Sequence, residues 1–133
     1  MSDLFGIEGM HVLVTGGSSG LGRFFAAFLA GRGARVTVAA RRAEALAKTV
    51  DDISAANGQA QSVVMDVTVA ASIETALRTA EQRFGPVQIV INNAGVTATR
   101  PALQQDEADW DKVVGTNLKG VWLVAQAAGR RMV

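Results

Sequence analysis

The stretch HVLVTGGSSGLG, residues 11–22, contains the feature that decides the fold. An apolar, β-branched run over residues 11–15 predicts a buried strand, and Gly16 and Gly17 end it. A helical pattern begins at Gly20, so a glycine-rich turn joins the carboxyl end of a strand to the start of a helix. Unpaired N–H groups and a partial positive charge at such a helix start favour a bound anion. The stretch therefore predicts an anion site at the turn.

The spacing of the glycines gives each of them a task. Gly16 allows the sharp turn, Gly20 lets a pyrophosphate approach the backbone, and Gly22 lets helix and strand pack closely. A nucleoside triphosphate loop needs Lys followed by Ser or Thr after its second glycine, whereas Leu21 follows Gly20 here. This disfavours triphosphate hydrolysis, and the G-x-G-x-x-G spacing is absent as well. A glycine turn without a ligand is the alternative.

Outward from this turn, predicted strands and helices alternate along the chain. Apolar runs predict strands over residues 11–15, 35–40, 61–65 and 87–91. Apolar residues at helical spacing predict helices over residues 20–32 and 42–57, a third capped by Thr68 and ending at 84, and a fourth from about 106 to the end. Strands that are apolar on both faces and alternate with helices predict a doubly wound parallel sheet covered on both sides.

Composition bounds the class of protein. The 133 residues are 49% apolar and 19% charged, with a net charge of +1, which predicts one domain with a core and no nucleic-acid or membrane-surface partner. No apolar run approaches the ~20 residues of a membrane-spanning helix. The first ten residues show no export signal, so we expect a cytoplasmic protein.

No metal site is expected from the sequence. The chain has no Cys and one His, which excludes thiolate zinc sites and imidazole clusters. The acids at 106, 107, 109 and 111 lack the Gly and Glu of a calcium loop and suit the first turn of a helix. We expect His11 to be structural.

Two arginines follow the second strand at the place where NAD-binding proteins carry an acid for the ribose 2′-OH. Arg41 and Arg42 stand there without a carboxylate, and a guanidinium suits bidentate contact with a phosphate. One such contact is worth roughly 1.5–3 kcal/mol, or about 10- to 150-fold in favour of NADP over NAD. The alternative is an exposed pair at a helix start, although cations are unfavourable there.

Three further polar sites follow predicted strands or interrupt the last helix. Asp66 follows the third strand, Asn92 and Asn93 follow the fourth, and Asn117 lies in the last helix. Taken singly, each has an ordinary structural alternative. Asp66 would cap the following helix, Asn92 and Asn93 would form a turn, and Asn117 would make a local hydrogen bond within its helix. Together with the glycine turn they fall on one rim, where ligands bind in open α/β sheets.

In these motifs the chain resembles the short-chain dehydrogenase/reductase family over its whole length. The matching motifs are Thr15-Gly16-x-x-x-Gly20-x-Gly22, Asp66-Val67, Asn92-Asn93-Ala94-Gly95, and Asn117 within Trp110-Asp111-x-x-x-x-x-Asn117. The resemblance implies a Rossmann-like, three-layer αβα fold with strand order 3-2-1-4. It also implies that residues 1–133 are one dinucleotide-binding domain, incomplete after its fourth helix.

The resemblance assigns roles to the motif residues. Those that would hold the pyrophosphate and the adenosine ribose are Gly16, Ser18, Ser19, Gly20, Leu21 and Gly22. Those that would contact the 2′-phosphate, the adenine and the floor between the cofactor halves are Arg41, Arg42, Asp66, Val67, Asn93, Ala94 and Gly95. Asn117 would be a catalytic residue, whose helix is distorted and whose carbonyl holds a water of a proton relay.

Two departures from the family qualify what the resemblance implies. Several NADP-preferring members carry a base at the position of Ser19, so the charge would rest on Arg41 and Arg42, with NADP preferred and NAD possible. The family's Ser and Tyr-x-x-x-Lys are absent, the chain has no Tyr, and family members run to roughly twice this length.

For the intact protein the resemblance implies NADP(H)-dependent hydride transfer to or from a small-molecule carbonyl or secondary alcohol. We expect a homo-oligomer, and we expect this chain alone to be inactive. The apolar face of the last helix is either core or a subunit interface; its residues are Val121, Trp122, Val124, Ala125 and Ala128. The alternative function is a non-catalytic dinucleotide-binding or interaction module.

Overall fold

A four-stranded parallel sheet forms the centre of the molecule. The computed structural model describes residues 3–133. The strands are β1 (His11–Thr15), β2 (Arg35–Ala40), β3 (Gln59–Val64) and β4 (Ile89–Ile91). All pairs are parallel, and the order is β3-β2-β1-β4. The predicted Rossmann-like fold and strand order are confirmed, and the carboxyl ends of all four strands lie at one edge.

Helices cover both faces of the sheet. They are α1 (Gly20–Gly31), α2 (Ala43–Ala55), α3 (Ala70–Phe84), α4 (Glu107–Val114) and α5 (Gly120–Met132), and a π-helical turn, Gly115–Lys119, joins the last two. One apolar core contains residues of α1 and α2, and the other contains residues of α3 and α5. Of the helices within residues 3–133, none is long and apolar enough to span a membrane.

Some element boundaries differ from the prediction. Strand β3 begins at Gln59 and ends at Val64, not at residues 61 and 65, and β4 is only three residues long. Thr68 does not cap α3, because the helix begins at Ala70 with Val69 in the capping position. The Thr68 hydroxyl instead donates to Asp66 Oδ1 over 2.6 Å, a local bond outside the helix.

The buried face of α1 consists of its small residues. Gly22, Ala26 and Ala30 are buried against the sheet. Leu21 and Phe24, part of the apolar spacing that indicated this helix, are 67% and 61% exposed. The reason is the short distance between α1 and the turn after β1, which leaves no room for a large side chain between them.

His11 is the centre of a buried polar network at the amino end of the sheet. Its Nδ1 lies 2.7 Å from the Gly85 carbonyl oxygen, which can only accept, so Nδ1 carries the proton. Its Nε2 lies 2.7 Å from Thr37 Oγ1, whose hydroxyl therefore donates to the ring. Gln61 Nε2 donates to Thr37 Oγ1 over 2.9 Å and to the Ala80 carbonyl over 2.8 Å. The network satisfies a neutral imidazole, so His11 is structural, as expected.

This network predicts a loss of stability in mild acid. Burial lowers the pKa of His11 below its ordinary value of 6.5, and the positive charge of Arg35 acts in the same direction. The folded protein therefore binds fewer protons than the unfolded chain just below pH 6.5. The contribution of neutral His11 to the free energy of unfolding should be fully present above pH 6.5. It should decrease as the pH drops toward and through the folded-state pKa. Urea unfolding at several pH values measures this.

The chain has one histidine, so the assignment has a direct control. A single imidazole resonance, followed by NMR against pH, should titrate below 6.5 in the folded protein. A titration at or above 6.5, or an unfolding free energy that does not change between about pH 7 and pH 5, contradicts this account of the network.

Candidate cofactor site

A cavity of about 750 Å³ opens at the carboxyl edge of the sheet. The glycine turn, the ends of β2 and β3, and the loop after β4 form its walls, and its volume is in the range of ligand sites. The residues that line it are Gly16, Ser18, Ser19, Gly20, Leu21, Ala39, Ala40, Arg41, Arg42, Met65, Asp66, Val67, Thr68, Asn93, Ala94, Gly95, Val96 and Thr116. Every residue predicted to bind the cofactor is therefore brought to this cavity except Gly22.

Gly22 supports the cavity from beneath. A Cβ atom at this position would lie 2.2 Å from the Gly16 carbonyl oxygen and 2.4 Å from Asn93 Nδ2. Such distances are far below van der Waals contact, so only glycine lets α1 approach the turn this closely. The close packing expected from the motif is present.

Unpaired backbone donors face the cavity at the start of α1. Within residues 3–133, the N–H groups from Ser18 to Gly22 have no acceptor, and Arg23, which donates to the Ser19 carbonyl over 3.2 Å, is the first of the helix that has one. The space beside Gly20 is open, because a Cβ atom there would meet nothing within 4 Å. These donors, together with the positive end of the helix dipole, suit an anion.

Two guanidinium groups and a carboxylate lie on the opposite wall. Arg41 and Arg42 are exposed, and neither has an ion pair or a hydrogen bond to another side chain in the described part of the chain. Asp66 Oδ1 accepts from Thr68 N and Thr68 Oγ1.

Asp66 is ionised and keeps one free oxygen. The hydroxyl and the backbone N–H of Thr68 lower the pKa of Asp66, and the charge of Arg41 adds to the effect. Its Oδ2 has no hydrogen-bond partner within residues 3–133 and can accept from a ligand. The alternative that Asp66 caps α3 is wrong, since Val69 holds that position.

Thr15, at the end of β1, is hydrogen-bonded beneath the site to the segment that follows the edge strand β4. Its Oγ1 accepts from Asn93 N and Ala94 N, each over 3.0 Å. In return, Asn93 Nδ2 donates to the carbonyls of Thr15 and Gly16 over 3.2 and 3.3 Å. Asn93 is therefore more than a turn residue. This role of Thr15 was not predicted, although a hydroxyl at the carboxyl end of an apolar strand is a signal for one.

Asn117 forms two hydrogen bonds with the loop after β4. Its Oδ1 accepts from Val96 N and its Nδ2 donates to the Val96 carbonyl, both over 2.8 Å. The residue sits in the π-helical turn Gly115–Lys119, so the expected distortion of the helix is present. Its side chain bonds a segment 21 residues away, and the local hydrogen-bond alternative is wrong.

The acids near residue 106 cap a helix. Asp106 Oδ1 accepts from Asp109 N over 2.9 Å, and Asp109 Oδ2 accepts from Asp106 N over 3.2 Å. This reciprocal capping box starts α4. It accounts for Asp106 as the cap of the helix and for Glu107 and Asp109 as its first turn.

A doubly wound sheet with a glycine turn and unpaired donors at its carboxyl edge defines a Rossmann-like domain. The chain belongs to the short chain dehydrogenase family, whose model matches residues 10–133. The resemblance seen in the sequence is thereby confirmed. By their names, the curated relatives reported below are a dehydrogenase and a reductase.

Two curated relatives illustrate the similarity. A gluconate 5-dehydrogenase of Gluconobacter oxydans is 37% identical over 131 residues, covering 98% of this chain and 51% of the relative. A 3-oxoacyl-acyl-carrier-protein reductase of Escherichia coli is 37% identical over 126 residues, covering 95% and 50%. The chain spans about half the length of the curated relatives it matches.

Solved structures agree with the fold. A short-chain dehydrogenase/reductase of Mycobacterium marinum has a TM-score of 0.93 and 36% identity, covering 99% of this chain and 54% of that one. A variant of actinorhodin polyketide ketoreductase, solved with NADPH, has a TM-score of 0.88 and 33% identity, covering 92% and 47%.

Proposed function

We propose that residues 1–133 are the coenzyme-binding half of an NADP(H)-dependent oxidoreductase of the short-chain dehydrogenase type. The reaction is hydride transfer between the nicotinamide and a carbonyl or secondary alcohol carbon. The observation that carries this proposal is that one cavity has N–H donors without acceptors on one wall, at Ser18–Leu21, and two guanidinium groups on the opposite wall, at Arg41 and Arg42. Within residues 3–133 neither guanidinium has an ion-pair partner.

The residues of the cavity fit a dinucleotide with three anionic phosphates. The N–H groups at the start of α1 suit the pyrophosphate, and the two guanidinium groups suit a phosphate on the adenosine ribose. The free Oδ2 of Asp66 suits an exocyclic amino group, with Val67 beside it. NADP is thus the preferred cofactor in this proposal, and NAD is the weaker one.

The nicotinamide, when bound, supplies the carbon that gives or receives the hydride. This chain's own residues bind and orient. Ala94 and Gly95 form the cavity floor, which Thr15 and Asn93 hold in place. Asn117 fixes Val96 at the far side of that floor and, by the family resemblance, takes part in a proton relay through its carbonyl. Holding the reacting groups in register is a large part of the rate.

The substrate class in this proposal is a small-molecule carbonyl or secondary alcohol. The names of the relatives, a gluconate 5-dehydrogenase and a 3-oxoacyl reductase among them, support the class and not a particular compound. In the same proposal the protein is cytoplasmic, where NADP(H) is available.

The intact protein is a homo-oligomer in this proposal. Trp122 and Leu118, on the outer side of the π turn and α5, are more than half exposed. Val124 and Ala128 of the same helix are buried in the core. The apolar face of the last helix is therefore core in part, and in this proposal its exposed part contacts a second copy.

The proposal predicts activity that depends on more than this chain. The product of the complete gene should reduce a simple ketone with NADPH, whereas the 133-residue chain should show no turnover, because it has no tyrosine to serve as the proton donor that the family resemblance requires. NADPH absorbance measures both.

The intact mass of each preparation shows whether the complete gene product or the 133-residue chain is being assayed. A complete gene product near twice 13.9 kDa supports the proposal. Ketone reduction by homogeneous 133-residue material, or an inactive complete gene product of 13.9 kDa, contradicts it, and the second result favours a binding module.

A further inference from the structure

We propose that Thr49 is a positioning residue for the cofactor's 2′-phosphate. By holding the carbonyl of Gly17, it directs the N–H of Ser18 toward the phosphate that Arg41 and Arg42 contact. This inference rests on the proposed function, and it adds a specificity-determining residue that lies outside the cavity.

Thr49 donates a hydrogen bond out of its own helix. Its Oγ1 lies 2.9 Å from the Gly17 carbonyl oxygen, 32 residues away, and the side chain is buried. A threonine within a helix commonly bonds a carbonyl one turn earlier in the same helix. Here the hydroxyl instead joins the middle of α2 to the glycine turn.

Gly17 is held on its other side by β2. Its N–H donates to the Ala39 carbonyl over 3.3 Å. A Cβ atom on Gly17 would lie 2.7 Å from Val38 Cβ, so the turn is in contact with the strand. Both polar groups of this buried glycine are therefore used, although the glycine is not part of the family motif quoted above.

The orientation of the next peptide follows from its geometry. The chain has no cis peptide bond among its described residues, so the Gly17 carbonyl and the Ser18 N–H point in opposite directions. With the carbonyl turned toward α2, the N–H is turned away from α2. Ser18 lines the cavity, and its N–H has no acceptor within residues 3–133.

The position of Ser18 indicates which of the cofactor's phosphates its N–H group faces. Gly17 contacts Ala39, two residues before Arg41, so Ser18 lies on the β2 side of the cavity. The helix start at Gly20, which suits the pyrophosphate, lies beyond it. Helix α2 therefore contributes to the phosphate subsite in two ways. Arg42 lies at its amino end, and Thr49 holds the glycine turn that carries the Ser18 N–H.

The test compares Thr49→Val with Thr49→Ser in the protein made from the complete gene. The Kd values for NADPH and NADH are measured by titration calorimetry. Thr49→Val should weaken NADPH about fivefold to tenfold, as expected for one lost hydrogen bond, and NADH less than about twofold. Thr49→Ser, which keeps the hydroxyl, should change neither by more than about twofold. Equal losses for both cofactors, or no loss, overturn the inference.

A second measurement does not depend on the valine variant folding. In the unaltered protein, the backbone amide resonance of Ser18 should shift more with NADP⁺ than with NAD⁺, and equal shifts overturn the inference. Failure of the proposed function is distinguishable, because the unaltered protein would then bind neither dinucleotide.

Discussion

Gly22→Ala should destabilise the protein by at least about 3 kcal/mol, near the upper end of what single substitutions do. The added methyl would lie 2.2 Å from the Gly16 carbonyl oxygen, which is backbone and cannot rotate away. Relief requires α1 to move off the turn, which separates Ala26 and Ala30 from the sheet they are buried against. Urea unfolding measures the loss, and nucleotide binding should fall with it because the same turn bounds the cavity.

Gly31→Ala is the matched control. It places the same methyl in the same helix, at its exposed last residue, where nothing lies within 4 Å. The change should leave the unfolding free energy unchanged or raise it by up to about 1 kcal/mol, since alanine is the better helix former. If the two variants were equally stable, the close approach of α1 to the turn would not be what requires Gly22.

The double variant Arg41→Ala, Arg42→Ala should abolish the preference for NADP(H) over NAD(H). Loss of the guanidinium contacts should weaken NADP(H) roughly 10- to 150-fold, the equivalent of about 1.5–3 kcal/mol. NAD(H) has no 2′-phosphate and should change by less than about threefold. Because both side chains are exposed and have no ion pair within residues 3–133, their removal should not affect folding. Titration calorimetry with each cofactor gives the ratio.

Arg78→Ala, Arg130→Ala provides the control for charge. These arginines are exposed on α3 and α5, and neither lines the cavity. The double change also removes two positive charges, so it reports how much a general electrostatic effect weakens each cofactor. Comparable NADP(H) losses in the two double variants would remove the 2′-phosphate assignment from Arg41 and Arg42.

The sequence predicted the sheet and the cavity because both depend on strong local signals. Buried parallel strands are apolar throughout, and the motif residues follow them at the carboxyl ends, which places those residues on one rim. The strand order came from the family resemblance that the motifs carry. In α3 the buried residues Ile73, Leu77 and Ala80 have the helical spacing from which such a helix is predicted. In α1 the same reasoning did not identify the buried face, because Gly22 brings the backbone so close that only small residues fit beneath it.

Contacts between distant residues were beyond sequence reasoning. Nothing in the pattern around Thr49 distinguishes it from an ordinary helix threonine, and its bond to Gly17 exists only because α2 packs against the turn. Thr68 was predicted as a helix cap, which its residue type favours, but its bonds to Asp66 compete with that role. Such choices depend on which acceptor is nearest after folding.

The π-helical turn around Asn117 also constrains the length of the last helical segment. Deleting one residue between Gly115 and Lys119 would turn everything that follows by about 100° around the helix axis. Val124 and Ala128 would then leave the core, and Trp122 would change the direction in which it faces. Substitutions of exposed residues in Gly115–Lys119 are tolerable, but the number of residues in this turn is fixed. The packing of α5 in the core and the bonds of Asn117 to Val96 must both be satisfied.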